Sequence, residues 1–195
     1  VFLATKNKGK IKDFEKLTEG MDLEVVTILD GIDIPDVVED GETFEENSRK
    51  KAKEIADYTN IVTISDDSGL CVDALDGGPG VYSARFGGEN ATDSEKNKKM
   101  LELLKDVKKE NRKAHFVSVV SIAFPNGEIH SFRGEIEGEI LFEARGNNGF
   151  GYNPIFYSYE LGKSFGEADD EERKSVSHRA RAFRKLIASG LLEEK

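Results

Sequence analysis

Two adjacent carboxylates and a hydroxyl, Asp66-Asp67-Ser68, follow directly on the β-branched run Ile61-Val62-Thr63-Ile64. A short β-branched segment bounded by small, polar and glycine residues reads as a buried strand that ends there and delivers the acids into a loop. Side chains alternate along a strand, so one carboxylate is expected to face a site and the other to support it. The plainer alternative is a turn made by Asp-Ser-Gly at a strand end. A third acid, Glu39, stands just ahead of Thr43-Phe44-Glu45-Glu46, a capping box opening a helix with Asn47, Lys51, Ala52, Ile55 and Ala56. Such a position suits the helix dipole. It also suits a hard cation shared with a strand-end aspartate, since Mg²⁺ sites use one or two carboxylates and leave substrate phosphates to complete the shell.

Basic residues sit where an anion would need them. Val1 to Ala4 reads as a strand, Thr5-Lys6-Asn7-Lys8-Gly9-Lys10 as a polar loop, and Ile11, Phe14 and Leu17 as one face of a helix. Strand, glycine-containing loop and helix aim backbone N–H groups and a helix N-terminus at an anion. The spacing is not that of a Walker A loop, and an exposed basic turn is the alternative. Near the other end, Arg145-Gly146-Asn147-Asn148-Gly149-Phe150-Gly151-Tyr152-Asn153-Pro154 places glycines around two aromatics. That leaves ring faces accessible for stacking on a flat ring, or else anchors the loop on its own core. Lys174-Ser175-Val176-Ser177-His178-Arg179 leads into a C-terminal helix with Ser177 as expected N-cap. Cations in that first turn run against the dipole, a cost that often marks function.

The elements needed to hold these residues fit one α/β domain over residues 1–195. That length can bury about 70% of the unfolded surface. Leu23 to Ile28 alternates as a second strand. Thr92-Asp93-Ser94-Glu95 caps a helix with Met100, Leu101, Leu103, Leu104 and Val107 as its core stripe, and Pro125-Asn126-Gly127-Glu128 is a hairpin turn between Ala114–Phe124 and Ile129–Glu137. A net charge of −10 argues against broad binding to nucleic acid. Cys71, the single cysteine, excludes an internal disulfide and suits a reducing cytoplasm. Val1-Phe2-Leu3-Ala4 is too short to read as a signal peptide, the absent initiator methionine reads as trimming, and no membrane class is expected.

Three groups of residues together resemble the Ham1/RdgB family of inosine triphosphate pyrophosphatases. They are Thr5 to Lys10; Ser65-Asp66-Asp67-Ser68-Gly69-Leu70 with Pro79-Gly80-Val81-Tyr82-Ser83-Ala84-Arg85-Phe86; and Gly149-Phe150-Gly151-Tyr152 with Ser177-His178-Arg179. The resemblance implies a mixed central sheet flanked by helices, two lobes with an active-site cleft between them, and a homodimer. It further implies Mg²⁺-dependent cleavage of ITP, dITP or XTP to the monophosphate and pyrophosphate. Carried onto this chain, it gives Thr5, Lys6, Asn7, Lys8, Gly9, Lys10 and Lys51 to the triphosphate, and Glu39 and Asp67 to the metal. Asp67, beside Asp66, becomes the proton acceptor for the attacking water, and Ser68 contacts substrate. Phe150 stacks on the base, Gly151, Tyr152 and Asn153 shape its pocket, and Lys174, His178 and Arg179 close on the nucleotide. One departure is Asn153, where the family usually has Asp. An amide donates as well as accepts, so this position bears on base discrimination. A Maf-type pyrophosphatase acting on other modified nucleotides, and a non-catalytic nucleotide-binding regulator, are the competing readings.

Overall fold

The computed structural model describes residues 1–193. In chain order the elements are β1 (Phe2–Leu3), α1 (Lys8–Leu17), β2 (Val26–Thr27), α2 (Phe44–Thr59), β3 (Thr63–Val72), α3 (Asp93–Leu103), β4 (Lys113–Ala123), β5 (Ile129–Ile140), β6 (Phe156–Ser158), β7 (Lys163–Ser164), α4 (Asp170–Val176) and α5 (His178–Ala188). The strands form one mixed sheet in the order β2-β1-β3-β4-β5-β6-β7. β1 runs parallel to β2 and β3, whereas β5, β6 and β7 pair antiparallel. This is the mixed α/β class expected from the strand and helix patterns. None of the described helices is long and apolar enough to cross a membrane.

The chain gathers into two compact units. One comprises residues 1–67, 118–134 and 179 onward, the other residues 68–117 and 135–178. In the first, Ile11 and Phe14 of α1, Ile64, Val120 and Ile122 of the sheet, and Phe183 and Leu186 of α5 form the largest core. Helix α2 is fastened to this sheet by hydroxyls as well as by Ala52 and Ala56. Ser48 donates to Ser121 at 2.8 Å, Ser121 shares a hydrogen with Ser131 at 2.8 Å, and Ser65 donates to the Ser48 carbonyl at 2.5 Å. Buried hydroxyls cost little only when each finds a partner, and these find one another. In the second unit Leu70, Met100, Phe116, Ile140, Ile155, Phe156 and Phe165 make the core.

Several expectations need correction. β3 does not stop before the aspartates but runs through Asp66, Asp67 and Ser68 to Val72. The local turn chemistry is overridden by partners far away in sequence that satisfy Asp66 inside the sheet. β2 is only Val26–Thr27, because Thr27 and Asp30 cap a 3₁₀ turn immediately after it. At α2, Thr43 Oγ1 accepts from the Glu46 N–H at 3.1 Å, but the Glu46 carboxylate accepts from Glu42 rather than closing the box on Thr43. Leu103 is half exposed, and Val107 packs on the core from beyond the end of α3. Residues 170–176 are a helix of their own, α4, opened by a capping box between Asp169 and Glu172. Ser177 is extended between α4 and α5.

Candidate active site

In the first unit four elements bring charged groups around the middle of β3. Asp66 is 7% exposed. Its Oδ2 lies 2.9 Å from Lys10 Nζ of α1 and 3.3 Å from Arg179 Nε of α5, and its Oδ1 accepts from the Ser118 hydroxyl of β4. Burial alone would push this carboxyl up. Lys10, Arg179 and the Ser118 hydrogen bond outweigh it and hold Asp66 well below the usual carboxylate range. Arg179 reaches Asp13 as well, at 2.7 Å.

Asp67 is perturbed in the opposite direction. Burial is the largest cause, Lys10 pulls downward, the charges of Glu39 and Asp66 push upward, and a hydrogen bond from Asn47 pulls downward. The outcome is a carboxyl raised to about 7. Its Oδ2 is buried with no hydrogen-bond partner. Glu39, in the loop before α2, is 3.5 Å from Lys51 Nζ. Two adjacent aspartates are thus driven apart, one held ionised and one poised near neutrality, the usual sign of divided labour in a site.

These residues fit a divalent cation. Asp67 presents a buried, unpartnered oxygen, and Glu39 is near enough for its charge to raise Asp67. Among the described residues no three His, Cys, Asp or Glu side chains gather into a cage. A two-carboxylate set is the kind that Mg²⁺ shares with substrate phosphates and water.

The loop ahead of α1 is organised differently from a bare anion cradle. Asn7 Oδ1 caps α1 by accepting from the N–H groups of Gly9 at 2.9 Å and Lys10 at 3.2 Å, and Thr5 Oγ1 accepts from the Asn7 N–H at 3.1 Å. Lys6 pairs with Asp36 at 2.7 Å at the surface, and Lys8 is exposed.

In the second unit Phe150 is half buried, and it borders a cavity of about 660 Å³ with Asp93, Asn97, Phe142 and Pro154. Helix α3 fixes the following peptides. Asp93 Oδ2 accepts from the Gly151 N–H at 2.9 Å, and Asn97 Nδ2 donates to the Gly151 carbonyl at 3.1 Å. A side chain at Gly149, at φ +74, would be strained and would displace the Asn153 amide, because a Cβ there would lie 2.2 Å from Asn153 Nδ2. Tyr152 is buried, not presented as a stacking face, and its hydroxyl donates to the Ser83 carbonyl at 2.6 Å. Burial and Asp93 push this phenol up. His178 stacks on Phe116 with ring centroids 4.7 Å apart, Lys174 lies in the last turn of α4, and Ser68 begins this unit on β3.

Sequence reasoning did not assign Asn47, Asp13, Ser118, Asp93 or Asn97. Ser118 meets Asp66 from 52 positions away and Asp13 meets Arg179 from 166, so no local spacing marks them. The one available signal was polarity: Ser118 and Ser121 interrupt a strand otherwise rich in valine and isoleucine.

The Ham1 family model matches residues 1–189. A protein of Desulforamulus reducens named dITP/XTP pyrophosphatase is 48% identical over 185 residues, covering 95% of this chain and 92% of that protein. The solved Ham1 protein of Staphylococcus aureus superposes with a TM-score of 0.87 at 41% identity, covering 99% of this chain and 98% of the other. A HAM1 protein of Coxiella burnetii gives a TM-score of 0.88 at 36% identity over the same shares. Full-length similarity at this level, with the fold and the acidic set in place, establishes that the chain belongs to the Ham1 family.

Proposed function

We propose that this protein is a Mg²⁺-dependent nucleoside-triphosphate pyrophosphatase that clears deaminated purine nucleotides such as dITP, ITP and XTP from the nucleotide pool. The naming of its relatives as dITP/XTP pyrophosphatases supports the reaction. The observation that carries it is Asp67, a carboxyl raised to about 7 with one buried, unpartnered oxygen, beside the ionised Asp66. In the reaction, a water oxygen bonds to the α-phosphorus, the bond from that phosphorus to the α–β bridging oxygen breaks, and pyrophosphate leaves. Asp67 accepts the water's proton. Glu39 and Asp67 are the residues that would hold Mg²⁺. When bound, the ion neutralises phosphate charge and lowers the pKa of water.

Asp66 takes no proton. It anchors Lys10 and Arg179 and keeps their charges within the first unit. The reading gives the triphosphate to the segment Thr5 to Lys10 and to Lys51, with Ser68 as a further contact. Phe150 offers its ring to the base, Gly151, Tyr152 and Asn153 shape the base's surroundings, and Lys174, His178 and Arg179 complete the hold on the nucleotide. It takes the chain as one domain working as a cytoplasmic homodimer, and a monomer in sedimentation at micromolar concentration would remove the dimer. The direct test incubates the protein with ITP and Mg²⁺, with ATP in parallel, and separates products by anion exchange. IMP plus pyrophosphate from ITP, with ATP largely spared, is expected; IDP plus phosphate, or no product, would overturn the function.

A further inference from the structure

Phe150 sits between two glycines in the left-handed region, Gly149 at φ +74 and Gly151 at φ +63. Glycine gives up more backbone freedom on ordering than any other residue, so a ring carried between two of them keeps its place only if the peptides around it are tethered. Upstream the tethers come from the segment after β7. The Asn148 N–H donates to the Gly166 carbonyl at 2.9 Å, and Asn148 Nδ2 donates to the Ala168 carbonyl at 3.2 Å. Downstream they come from α3. Asp93 Oδ2 accepts from the Gly151 N–H at 2.9 Å, and Asn97 Nδ2 donates to the Gly151 carbonyl at 3.1 Å. All of these groups lie in the second unit.

The spacing of the two α3 residues lets them hold one glycine at both ends. Positions i and i+4 share a helix face one turn apart, so an acceptor in the first turn and a donor in the next meet the N–H and the carbonyl of a single residue. The start of the helix is itself fixed by the box between Thr92 and Glu95. The other oxygen of Asp93 lies 3.8 Å from Lys96 Nζ, which leaves Oδ2 to the loop. Neither side chain belongs to the apolar core. Asp93 is exposed, and Asn97, 8% exposed, keeps a buried Oδ1 with no hydrogen-bond partner. A buried acceptor left unpaired is a cost. Only the donor end of this amide is used, and it is used on Gly151.

We infer that Asp93 and Asn97 are positioning residues for nucleotide binding. Resting on the function proposed above, which gives Phe150 to the base, they hold the two peptides flanking Gly151 so that the Phe150 ring is in place before the purine arrives. They act through the loop and not on the reacting phosphates, so their loss weakens the hold on the base and leaves the chemical step alone. Ordering the backbone of one residue on binding lowers affinity by roughly 5- to 30-fold, and that is the effect of cutting either tether.

The test measures KM and kcat for ITP in wild type, Asp93→Ala, Asp93→Asn and Asn97→Leu, together with the inhibition constant of inorganic tripolyphosphate, which has the phosphate chain and no base. Asp93→Ala and Asn97→Leu are expected to raise KM by roughly 5- to 30-fold, with kcat and the tripolyphosphate constant within about threefold of wild type. Asp93→Asn keeps an oxygen for the Gly151 N–H and is expected to stay near wild type. Asp93 is exposed, so Asp93→Ala decides the matter if Asn97→Leu does not fold. An unchanged KM in Asp93→Ala, or a tripolyphosphate constant raised in step with KM, would overturn the inference and leave the two residues structural only. Absence of ITP turnover in the wild type would count against the proposed function, and calorimetric binding of ITP and of tripolyphosphate to the same proteins then decides the role of Asp93 and Asn97. ITP neither cleaved nor bound by the wild type would overturn both.

Discussion

Asp66 and Asp67 are one bond apart in sequence and differ in charge state because alternate positions of β3 meet different neighbours. Lys10, Arg179 and Ser118 keep Asp66 ionised, while burial with Glu39 and Asp66 close by raises Asp67 to about 7. Linkage turns this into a stability prediction with a definite sign. Between the ordinary aspartate value of 3.8 and about 7, folded Asp67 binds a proton that the unfolded chain has released. The metal-free protein therefore loses stability as pH rises through that window and levels off above it. Asp67→Asn is expected to match wild type near pH 4 and to be more stable in EDTA near pH 8, by up to about 4 kcal/mol. Urea denaturation at the two pH values checks this, and a variant less stable at pH 8 would contradict it. The same substitution is expected to lower kcat by about 10²–10⁴-fold, the usual worth of a positioned base. Stability gained where activity is lost is the pattern of a site strained for function.

Among the elements, the loop between β5 and β6 depends most on shape. Asp93 and Asn97 hold both sides of Gly151, and the Asn153 amide lies against Gly149. Asn153→Asp replaces a group that donates and accepts with one that only accepts. It is expected to change the ITP:ATP ratio of kcat/KM by more than it changes kcat/KM for ITP, and an unchanged ratio would make the position structural. A second element-scale device is Arg112, 1% exposed just before β4. Its guanidinium donates to the carbonyls of Leu104, Val107, Ile140 and Leu141, and Phe142 covers it at 4.0 Å. Arg112→Met keeps the bulk but removes the guanidinium's hydrogen bonds to four carbonyls, of which that of Leu104 keeps the Val107 N–H. The expected loss is at least about 3 kcal/mol in urea denaturation; a loss under about 1 kcal/mol would show that the carbonyls find other donors.

Across the whole molecule, the parts legible in the sequence are those whose causes are local. The Thr92–Glu95 box, the α1 stripe of Ile11 and Phe14, and the turn at 125–128 declare themselves within a few residues, and each is present. β3 was misjudged because Asp66 gains its partners from residues 52 and 113 positions away, which no local window contains. For Tyr152 the choice between a stacking face and a core anchor was closed to any local window for the same reason, since Ser83, which accepts from its hydroxyl, is 69 positions distant. Helix α4 has a cause that is local too, the Asp169 and Glu172 box. The candidate residues could be named from their types; which carboxylate is ionised and which is poised could not, because that depends on burial and on charges brought together by folding. The net charge of −10 likewise gives no hint that Lys10 and Arg179 would flank Asp66. Hydrolysis of ITP in water enriched in ¹⁸O, followed by mass spectrometry of both products, is the most direct test of the reaction as a whole. Attack at the α-phosphorus predicts one ¹⁸O atom in IMP and none in pyrophosphate; label in the pyrophosphate would contradict it.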